Sequence, residues 1–285
     1  MTPRIAEVGR GHRWHDRSVS TSLPLGGIEI VMLEDGVGPF FQPRGEAFSA
    51  TVDQWARADA FDPGAVLDGG GWLLRFRCFA IRQPSGRVIL VDAGIGPSDA
   101  PSASWAPVPG RLPEELAAAG IERDDVDTVV LSHIHTDHVG WAVTGGEPYF
   151  RNARYLLQAA DVQAMRDHNP ALVPALLEPL MAAGRLDIVA GDQKLVPGVS
   201  VIATPGHTPG HQSVLVTGGD ERVLVTGDLL VHALQLLHPD IAYAHEVDPE
   251  AARISRRRAL KDLGPGGILA TSHLTDPFVR LPTAP

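Results

Sequence analysis

A short run of metal-binding side chains constrains this 285-residue chain more than any other feature. A hydrophobic stretch of strand composition, residues 128–131, ends just before it. Four potential ligands then follow within six positions: His133, His135, Asp137 and His138. In an extended chain His133 and His135 point to the same side, because side chains alternate with a period of two. A turn into a helix would redirect Asp137 and His138 to a neighbouring point. The spacing therefore predicts one loop that supplies ligands to two adjacent metal sites.

Three more strand-like runs end on a potential ligand. His207 follows residues 199–203, Asp228 follows residues 223–226, and His273 ends the last run, residues 268–272. Ligands at the ends of several strands can converge on one edge of a sheet, where a pocket would lie. Cys78 is the single cysteine, which excludes a disulfide within the chain and a thiolate metal cage. Imidazole and carboxylate ligands suit zinc, although manganese, iron or cobalt could occupy the same cage.

The order of the apolar runs predicts the fold class. Runs of strand length and composition recur along the chain, at residues 28–33, 72–81, 87–91, 128–131, 155–158, 199–203, 214–216 and 223–226. Helical patterns lie at residues 49–60, 112–119, 159–167, 173–183 and 249–263. Strands from both halves of the chain with helices between them predict an α/β layered fold. Residues 1–70 are interpreted as an N-terminal extension packed on a core of residues 71–285, within a single structural domain.

These motifs resemble the metallo-β-lactamase superfamily over residues 71–273. The resemblance rests on Val91-Asp92-Ala93-Gly94, the run from His133 to His138, His207, Asp228 and His273, all in the expected order. It implies a four-layer αββα sandwich with the metals at the sheet edge. It assigns His133, His135 and His207 to one metal, Asp137, His138 and His273 to the other, and Asp228 to both. It also places Asp92 behind the ligands, where the alternative is an aspartate that only forms a turn before glycine.

The details of the motifs favour a hydrolase branch. In this family the β-lactamases lack an acid at the position of Asp228, flavodiiron proteins carry Glu at the position of His135, and single-iron dioxygenases lack most of the second site. The segment after Asp228 resembles the methyl parathion hydrolases and quorum-quenching lactonases. Several lactonases have Tyr where this chain has Val231, so the resemblance does not extend to their tyrosine-assisted mechanism. His232 is interpreted as a substitute polar contact or a packing residue, and His211 as an orienting partner or a structural residue.

The predicted function is a dinuclear metal-dependent hydrolase, with zinc as the expected metal. A hydroxide bridging the two ions would cleave a carboxylic ester, most of all a lactone, with phosphotriester hydrolysis as a side activity. Asp137 and Asp228 are the expected catalytic residues. Three alternatives stay open: an iron-dependent redox enzyme on the same fold, a thioesterase of the glyoxalase II type, and a binding protein without catalysis.

Composition limits the partners. The chain has 24 Lys and Arg against 34 Asp and Glu, a formal charge of −10, which disfavours nucleic acid. The basic run from Arg256 to Arg258 is interpreted as a solvated helix face. Aromatic residues at positions 40, 41, 55, 61 and 141 belong to a hydrophobic core or a dimer contact, or else line a pocket, which would predict a substrate with an apolar part. An apolar extension predicts a homodimer built partly from residues 1–70. A polar N-terminus and the lack of long apolar stretches predict a cytoplasmic protein without membrane contact.

Overall fold

The computed structural model describes residues 21–283, so residues 1–20 of the predicted extension lie outside the described part. Within this range the strands are β1 (Ser22–Leu25), β2 (Ile28–Pro39), β3 (Leu73–Arg82), β4 (Val88–Val91), β5 (Val126–Val130), β6 (Val143–Thr144), β7 (Glu147–Pro148), β8 (Arg154–Gln158), β9 (Leu186–Val189), β10 (Gln193–Val196), β11 (Val199–Ala203), β12 (Gln212–Gly218), β13 (Glu221–Val225), β14 (Ile268–Ala270) and β15 (Phe278–Arg280). The α-helices are α1 (Arg44–Ala47), α2 (Val52–Phe61), α3 (Leu112–Ala118), α4 (Ala159–His168), α5 (Glu178–Ala182), α6 (Ala233–Leu237) and α7 (Pro249–Leu263). Short 3₁₀ turns occupy Pro63–Ala65, Asp68–Gly70, Pro101–Ser104, Arg123–Asp125 and Gly227–Leu229.

The strands form two large sheets. The first sheet has the order β1-β2-β3-β4-β5-β8-β9, and the second has the order β10-β11-β12-β13-β14-β15. In the first sheet β4, β5, β8 and β9 run parallel to one another. In the second sheet β13 and β14 are parallel, and two antiparallel steps from β11 through β12 to β13 restore the same direction. The carboxyl ends of β11, β13 and β14 therefore lie at one edge of the second sheet.

Alternating apolar residues explain the layers. Along β2, Ile30 and Met32 belong to the core between the sheets, where they meet valines of β11, β12 and β13. Val31 and Leu33 face the other way and pack with residues of α3, α4 and α5. On the second sheet Leu224 faces outward with Ala259 and Leu263 of α7. Because both sheets are covered on both faces, the chain forms helix, sheet, sheet and helix layers. The predicted αββα architecture is confirmed.

Part of the stretch assigned to the extension belongs to the sheet. The long strand β2 pairs with β3 along almost its whole length, from Glu29 with Arg82 to Pro39 with Leu73. Residues 40–70 instead form α1, α2 and short turns against the outer face of the second sheet. The division of the chain at residue 70 stays a prediction, as does the homodimer built partly from residues 1–70.

The interpretation of the basic run as a solvated face is wrong for Arg256. This side chain is fully buried, whereas Arg257 and Arg258 are exposed. Its guanidinium donates hydrogen bonds to Glu246 Oε1 at 2.8 Å and to the carbonyls of Leu229 and Pro239 at 3.0 and 2.9 Å. A buried charge needs such partners, and here they tie α7 to the segment that precedes it.

The helix predicted over residues 173–183 is interrupted. Residues Val173–Leu177 form one turn of π-helix, and the α-helix α5 begins only at Glu178. Pro174 and Pro179 lack the backbone N–H that a regular helical ladder needs, which explains the irregular start. Among residues 21–283, no helix is long and apolar enough to cross a membrane.

Candidate metal centre

The predicted ligands leave the two sheets at the ends of neighbouring strands. In the first sheet, β4 leads into Asp92 and β5 leads into the run from His133 to His138. In the second sheet, β11, β13 and β14 lead into His207, Asp228 and His273. The structure gathers all seven predicted ligands into two adjacent groups. Five of the seven are buried, while His135 and Asp137 are slightly more exposed, with 9% of the Asp137 side chain accessible.

The first set consists of three imidazoles and one oxygen of Asp228. His135 Nδ1 lies 2.9 Å from His133 Nε2 and 3.0 Å from His207 Nε2. The Oδ2 atom of Asp228 lies 3.2 Å from His207 Nε2 and 3.8 Å from His133 Nε2. Four donor atoms thus surround one point.

The second set uses the other oxygen of the same carboxylate. Asp228 Oδ1 lies 3.0 Å from His273 Nε2 and 3.2 Å from His138 Nε2. Asp137 Oδ2 lies 3.3 Å from His138 Nε2 and 3.8 Å from His273 Nε2. Asp228 therefore offers one oxygen to each set.

Both sets fit a metal ion. For a tetrahedral zinc with ligands at about 2.0–2.1 Å, neighbouring ligand atoms are separated by about 3.3 Å, which lies in the middle of the separations in both sets. His138 Nε2 and Asp228 Oδ1 are also buried without a hydrogen-bond partner among the described residues. A buried polar atom without a partner is costly, and a cation would remove that cost for both. The donors, nitrogen and oxygen without sulfur, suit zinc.

Electrostatics differ between the sets. Burial and the neighbouring His207 lower the pKa of His135 to about 3, and burial with His138 and His135 lowers the pKa of His133 well below its usual value. Burial alone would also lower the pKa of His138, but the carboxylates of Asp228, Asp137 and Asp92 outweigh it and raise that pKa. Without an ion, the first set is therefore poor in negative charge and the second set is rich in it.

Asp92 lies directly behind the second set. Its Oδ2 accepts a hydrogen bond from His138 Nδ1 at 2.8 Å, which leaves Nε2 of that ring facing the set. The backbone N–H and hydroxyl of Ser132 donate to the same carboxylate at 2.7 and 2.9 Å. Among the described residues, Asp92 is the one non-glycine with a positive φ, 66°. Such a conformation is retained where surrounding bonds enforce it, as they do here.

His211 orients the shared carboxylate. Its Nε2 accepts the backbone N–H of Asp228 at 2.9 Å, and its Nδ1 lies 2.8 Å from the hydroxyl of Thr204. Burial and the neighbouring His207 lower the pKa of His211 to about 3, so the ring stays neutral and can accept. Gly227 makes this approach possible, because a Cβ there would lie 2.9 Å from His211 Nε2 and its φ is +52°.

His232 has a different environment from the predicted ligands. Its Nδ1 accepts the backbone N–H of Leu234 at 3.1 Å and caps α6. Its ring packs against Phe48, Trp55 and Trp72 at centroid distances of 5.2–5.5 Å. Burial and the nearby Arg44 lower its pKa to about 4. These contacts support the interpretation as a packing residue, and Val231 is likewise buried in this core.

Sequence reasoning missed three aromatic residues beside the centre. The ring of Tyr243 lies parallel to His207, with centroids 6.0 Å apart. Phe76 meets His273 edge-on at 5.9 Å, and Trp105 Nε1 donates to Thr136 Oγ1 at 3.1 Å, between two predicted ligands. None of the three stands in a motif, so only the folded chain brings them together.

The five aromatic residues predicted to line a pocket divide into two groups: Phe40 and Phe41 lie beside Tyr243 and His245, whereas Trp55, Phe61 and Trp141 pack against the hydrophobic cores. Phe41 is 56% exposed and its ring contacts Trp105 and His245, beside Tyr243. Trp141 instead donates to Asp35 and packs with Tyr149 behind the first sheet. The first location fits a pocket wall, whereas the second is part of the core.

Comparison with known proteins finds a shared family and fold. The model of the metallo-beta-lactamase superfamily matches residues 77–273. An N-acyl homoserine lactonase of a Bacillus species is 30% identical, over 66% of this chain and 74% of the relative. An N-acyl homoserine lactonase of Bacillus thuringiensis is 28% identical, over 77% of this chain and 85% of the relative.

Solved structures show the same fold. The hydrolase AbOPH of the beta lactamase superfamily superposes with a TM-score of 0.76 at 23% identity, covering 95% of both chains. AidC, a dizinc quorum-quenching lactonase with a bound N-acyl homoserine product, superposes with a TM-score of 0.72 at 23% identity, covering 92% of this chain and 97% of AidC.

Proposed function

The chain belongs to the metallo-beta-lactamase superfamily, and from this premise we propose that it is a dinuclear hydrolase that opens lactones. Its family and its lactonase relatives make it a metal-dependent enzyme that hydrolyses ester bonds. The observation that carries the dinuclear proposal is the position of Asp228, which offers Oδ2 to one ligand set and Oδ1 to the other.

The proposed ligands are three histidines in the first set (His133, His135 and His207), three residues in the second (Asp137, His138 and His273), and the shared Asp228. Two zinc ions bound there would supply a water of lowered pKa and positive charge for a developing oxyanion. The protein's own part is to hold the donors rigidly. Asp92 fixes the ring of His138, and His211 fixes the backbone at Asp228.

Asp137 is the proposed residue for proton movement to the leaving group. Its Oδ2 belongs to the second set alone, whereas both oxygens of Asp228 belong to ligand sets. Its other oxygen is left to exchange a proton with a substrate oxygen while its Oδ2 stays with the second set. Asp228 contributes by fixing the spacing of the two sets.

The substrate proposed is a small lactone with an apolar acyl part. The lactone follows from the relatives named N-acyl homoserine lactonases. The apolar part follows from Tyr243, Phe41 and Trp105, whose rings stand beside the ligand sets. Binding pockets are mostly apolar with few polar groups, and this wall has that composition.

A substrate panel tests the proposal. Zinc-loaded protein is offered an N-acyl homoserine lactone, an aryl ester, a glutathione thioester and a phosphotriester, with His135→Ala protein as the control. We expect the lactone to have the highest kcat/KM and the phosphotriester to be a slow side reaction. A highest rate with the thioester or phosphotriester would reject the lactonase proposal. Activity that needs iron and consumes oxygen would reject the hydrolase altogether.

Metal analysis tests the dinuclear part separately. Protein purified from cells supplied equally with zinc, manganese, iron and cobalt is expected to carry two ions per chain, with zinc predominant. One ion per chain, unchanged after adding metal, would contradict the shared role of Asp228.

A further inference from the structure

We propose that Asp161 is a positioning residue whose hydrogen bonds hold together the two loops that carry the three histidines of the first set. The inference rests on the proposed function, because it concerns how the metal ligands are held. Asp161 stands in the first turn of α4, away from every motif that the sequence offers. Its side chain is 2% exposed, so its carboxylate depends on bonds within the protein.

The carboxylate of Asp161 bonds to both loops. Its Oδ2 accepts the backbone N–H of Ile134 at 3.1 Å, and Ile134 is the residue between His133 and His135. The same oxygen accepts the hydroxyl of Thr208 at 2.9 Å, next to His207. Its Oδ1 accepts the backbone N–H of Gly210 at 2.6 Å, next to His211.

These bonds join parts of the chain that belong to different sheets. The loop with Ile134 follows β5 of the first sheet, and the loop with Thr208 and Gly210 follows β11 of the second. The first-set rings meet across that gap, with His135 Nδ1 3.0 Å from His207 Nε2. The described structure gives His207 Nδ1 no hydrogen-bond partner, so this ring relies on its loop for orientation.

Close packing around Gly210 supports the same role. A Cβ at residue 210 would lie 2.5 Å from the backbone nitrogen of Asp161. The loop therefore lies directly on the start of α4, and the short bond from Gly210 N to Asp161 Oδ1 follows from that contact. A carboxylate in the first turn of a helix is also favoured by the helix dipole.

The substitution Asp161→Asn tests whether these hydrogen bonds position the first set. An amide has one acceptor oxygen, so in either orientation its NH₂ group would face at least one of the N–H donors. At least one backbone N–H, that of Ile134 or that of Gly210, then loses its acceptor while the side-chain size is unchanged. We expect the affinity of the first set for a metal ion to fall about tenfold or more, as for other residues that orient ligands.

Asp35→Asn is the matched control. Asp35 is equally buried, and its carboxylate accepts the backbone N–H groups of Ile95 and Leu112 at 2.5 and 2.6 Å and Trp141 Nε1 at 3.1 Å. It also has three donors, but Ile95 and Leu112 lie outside the loops of the first set, and Trp141 lies at the far end of the loop after β5, beyond His138. We expect it to lower thermal stability as Asp161→Asn does, while leaving first-set affinity within about threefold.

The measurement is a titration of metal-free protein with ¹¹³Cd²⁺, read by cadmium NMR and by competition with a chelator. The two resonances are assigned with His135→Ala and His273→Ala. Selective weakening of the first-set resonance in Asp161→Asn supports the proposal. Equal weakening in both Asn variants, or unchanged affinity in Asp161→Asn, overturns it.

A milder variant covers the case in which Asp161→Asn does not fold. Thr208→Val removes one of the three bonds without a change of shape, and should weaken first-set binding about threefold. Affinity unchanged in Thr208→Val would then overturn the proposal. Failure of the parent protein to bind Cd²⁺ or Zn²⁺ would reject the proposed function itself, whereas normal binding by parent and variants rejects only the role of Asp161.

Discussion

The two ligand sets are held in place by different means. In the second set the rings are oriented through their own Nδ1 atoms, since His138 donates to Asp92 and His273 donates to the carbonyl of Arg75 at 2.6 Å. In the first set only His133 has such a contact, from Nδ1 to Ser132 Oγ at 3.0 Å. His207 Nδ1 has no partner among the described residues, and the loops themselves are held by Asp161. Similar donor geometry can therefore come from hydrogen bonds to the rings or from the placement of the loops.

The sets also differ in charge and ligand type. The first has three imidazoles and a share of Asp228, whereas the second replaces one imidazole with the carboxylate of Asp137. Imidazole favours zinc, and carboxylate oxygen tolerates harder cations such as manganese. We therefore expect the two sets to differ in how readily a bound ion is exchanged for another metal. Substitutions that alter one set, or the ligand common to both, can separate their contributions.

The largest effect is expected from Asp228→Ala, which removes the ligand common to both sets. Hydrolysis should fall at least about a thousandfold, because two ions held by these sets would lose their common ligand and the activated water that they would supply. Circular dichroism should stay near native, since the core between the sheets does not involve this residue. The control is Asp220→Ala, an exposed aspartate just before β13. If Asp228→Ala keeps more than about a tenth of the turnover, a barrier change below about 1.4 kcal/mol, the proposed mechanism is wrong.

The next effect separates the sets. His135→Ala removes a ligand of the first set and His273→Ala removes a ligand of the second. Each variant should bind one ion instead of two. The metal affinity of the altered set should fall by more than the 10–100-fold expected when only a residue that orients a ligand is lost. Elemental analysis gives the stoichiometry, and cadmium NMR shows which resonance disappears. Loss of both ions in either variant would mean that the sets do not bind independently.

A smaller effect is expected from Asp92→Asn. The amide can still accept the hydroxyl of Ser132, but it loses the negative charge opposite His138 Nδ1. Affinity of the second set should fall by about 10–100-fold, with the first set little changed. Chelator competition on the zinc-loaded protein measures both constants. A fall in first-set affinity alone would reverse the assignment of Asp92.

The parts of the centre that the sequence predicted are those encoded locally. A hydrophobic strand followed at once by histidine or aspartate can be recognised in one window, as at His133, His207 and His273. The strand itself positions the side chain at the sheet edge, so the local pattern carries over into the fold. For the same reason β11 and α7 were predicted with the observed bounds.

The parts that could not be predicted depend on contacts between distant residues. Asp161 and Asp35 are single aspartates whose partners lie 27–106 positions away. Arg256 cannot be distinguished from its neighbours in the basic run by sequence, because its burial depends on the carbonyls of Pro239 and Leu229, which only the folded chain brings to it. The edge strand β9, Leu186–Val189, mixes charged and apolar residues and has no clear alternation of its own. Pairing with β8, not composition, makes it a strand.

The smallest effect is expected at the aromatic residues beside each set. Tyr243 lies parallel to His207 of the first set, and Phe76 lies edge-on to His273 of the second. Aromatic pairs contribute about 0.5–1.5 kcal/mol beyond their buried area, which corresponds to roughly a two- to tenfold change in binding. Tyr243→Leu should therefore weaken the first set about threefold, and Phe76→Leu the second.

Tyr243→Phe separates the ring from its hydroxyl. Phenylalanine keeps the parallel contact with His207, so first-set affinity should stay within about twofold of the parent, below the loss in Tyr243→Leu. Zinc affinity and kcat/KM for the lactone are measured on the same preparations. If Phe and Leu weaken metal binding equally, the hydroxyl and not the ring supports the first set. If Phe leaves the metal affinity unchanged but lowers kcat, the hydroxyl acts on the substrate, and the difference between the two sets extends from the ligands to the reaction itself.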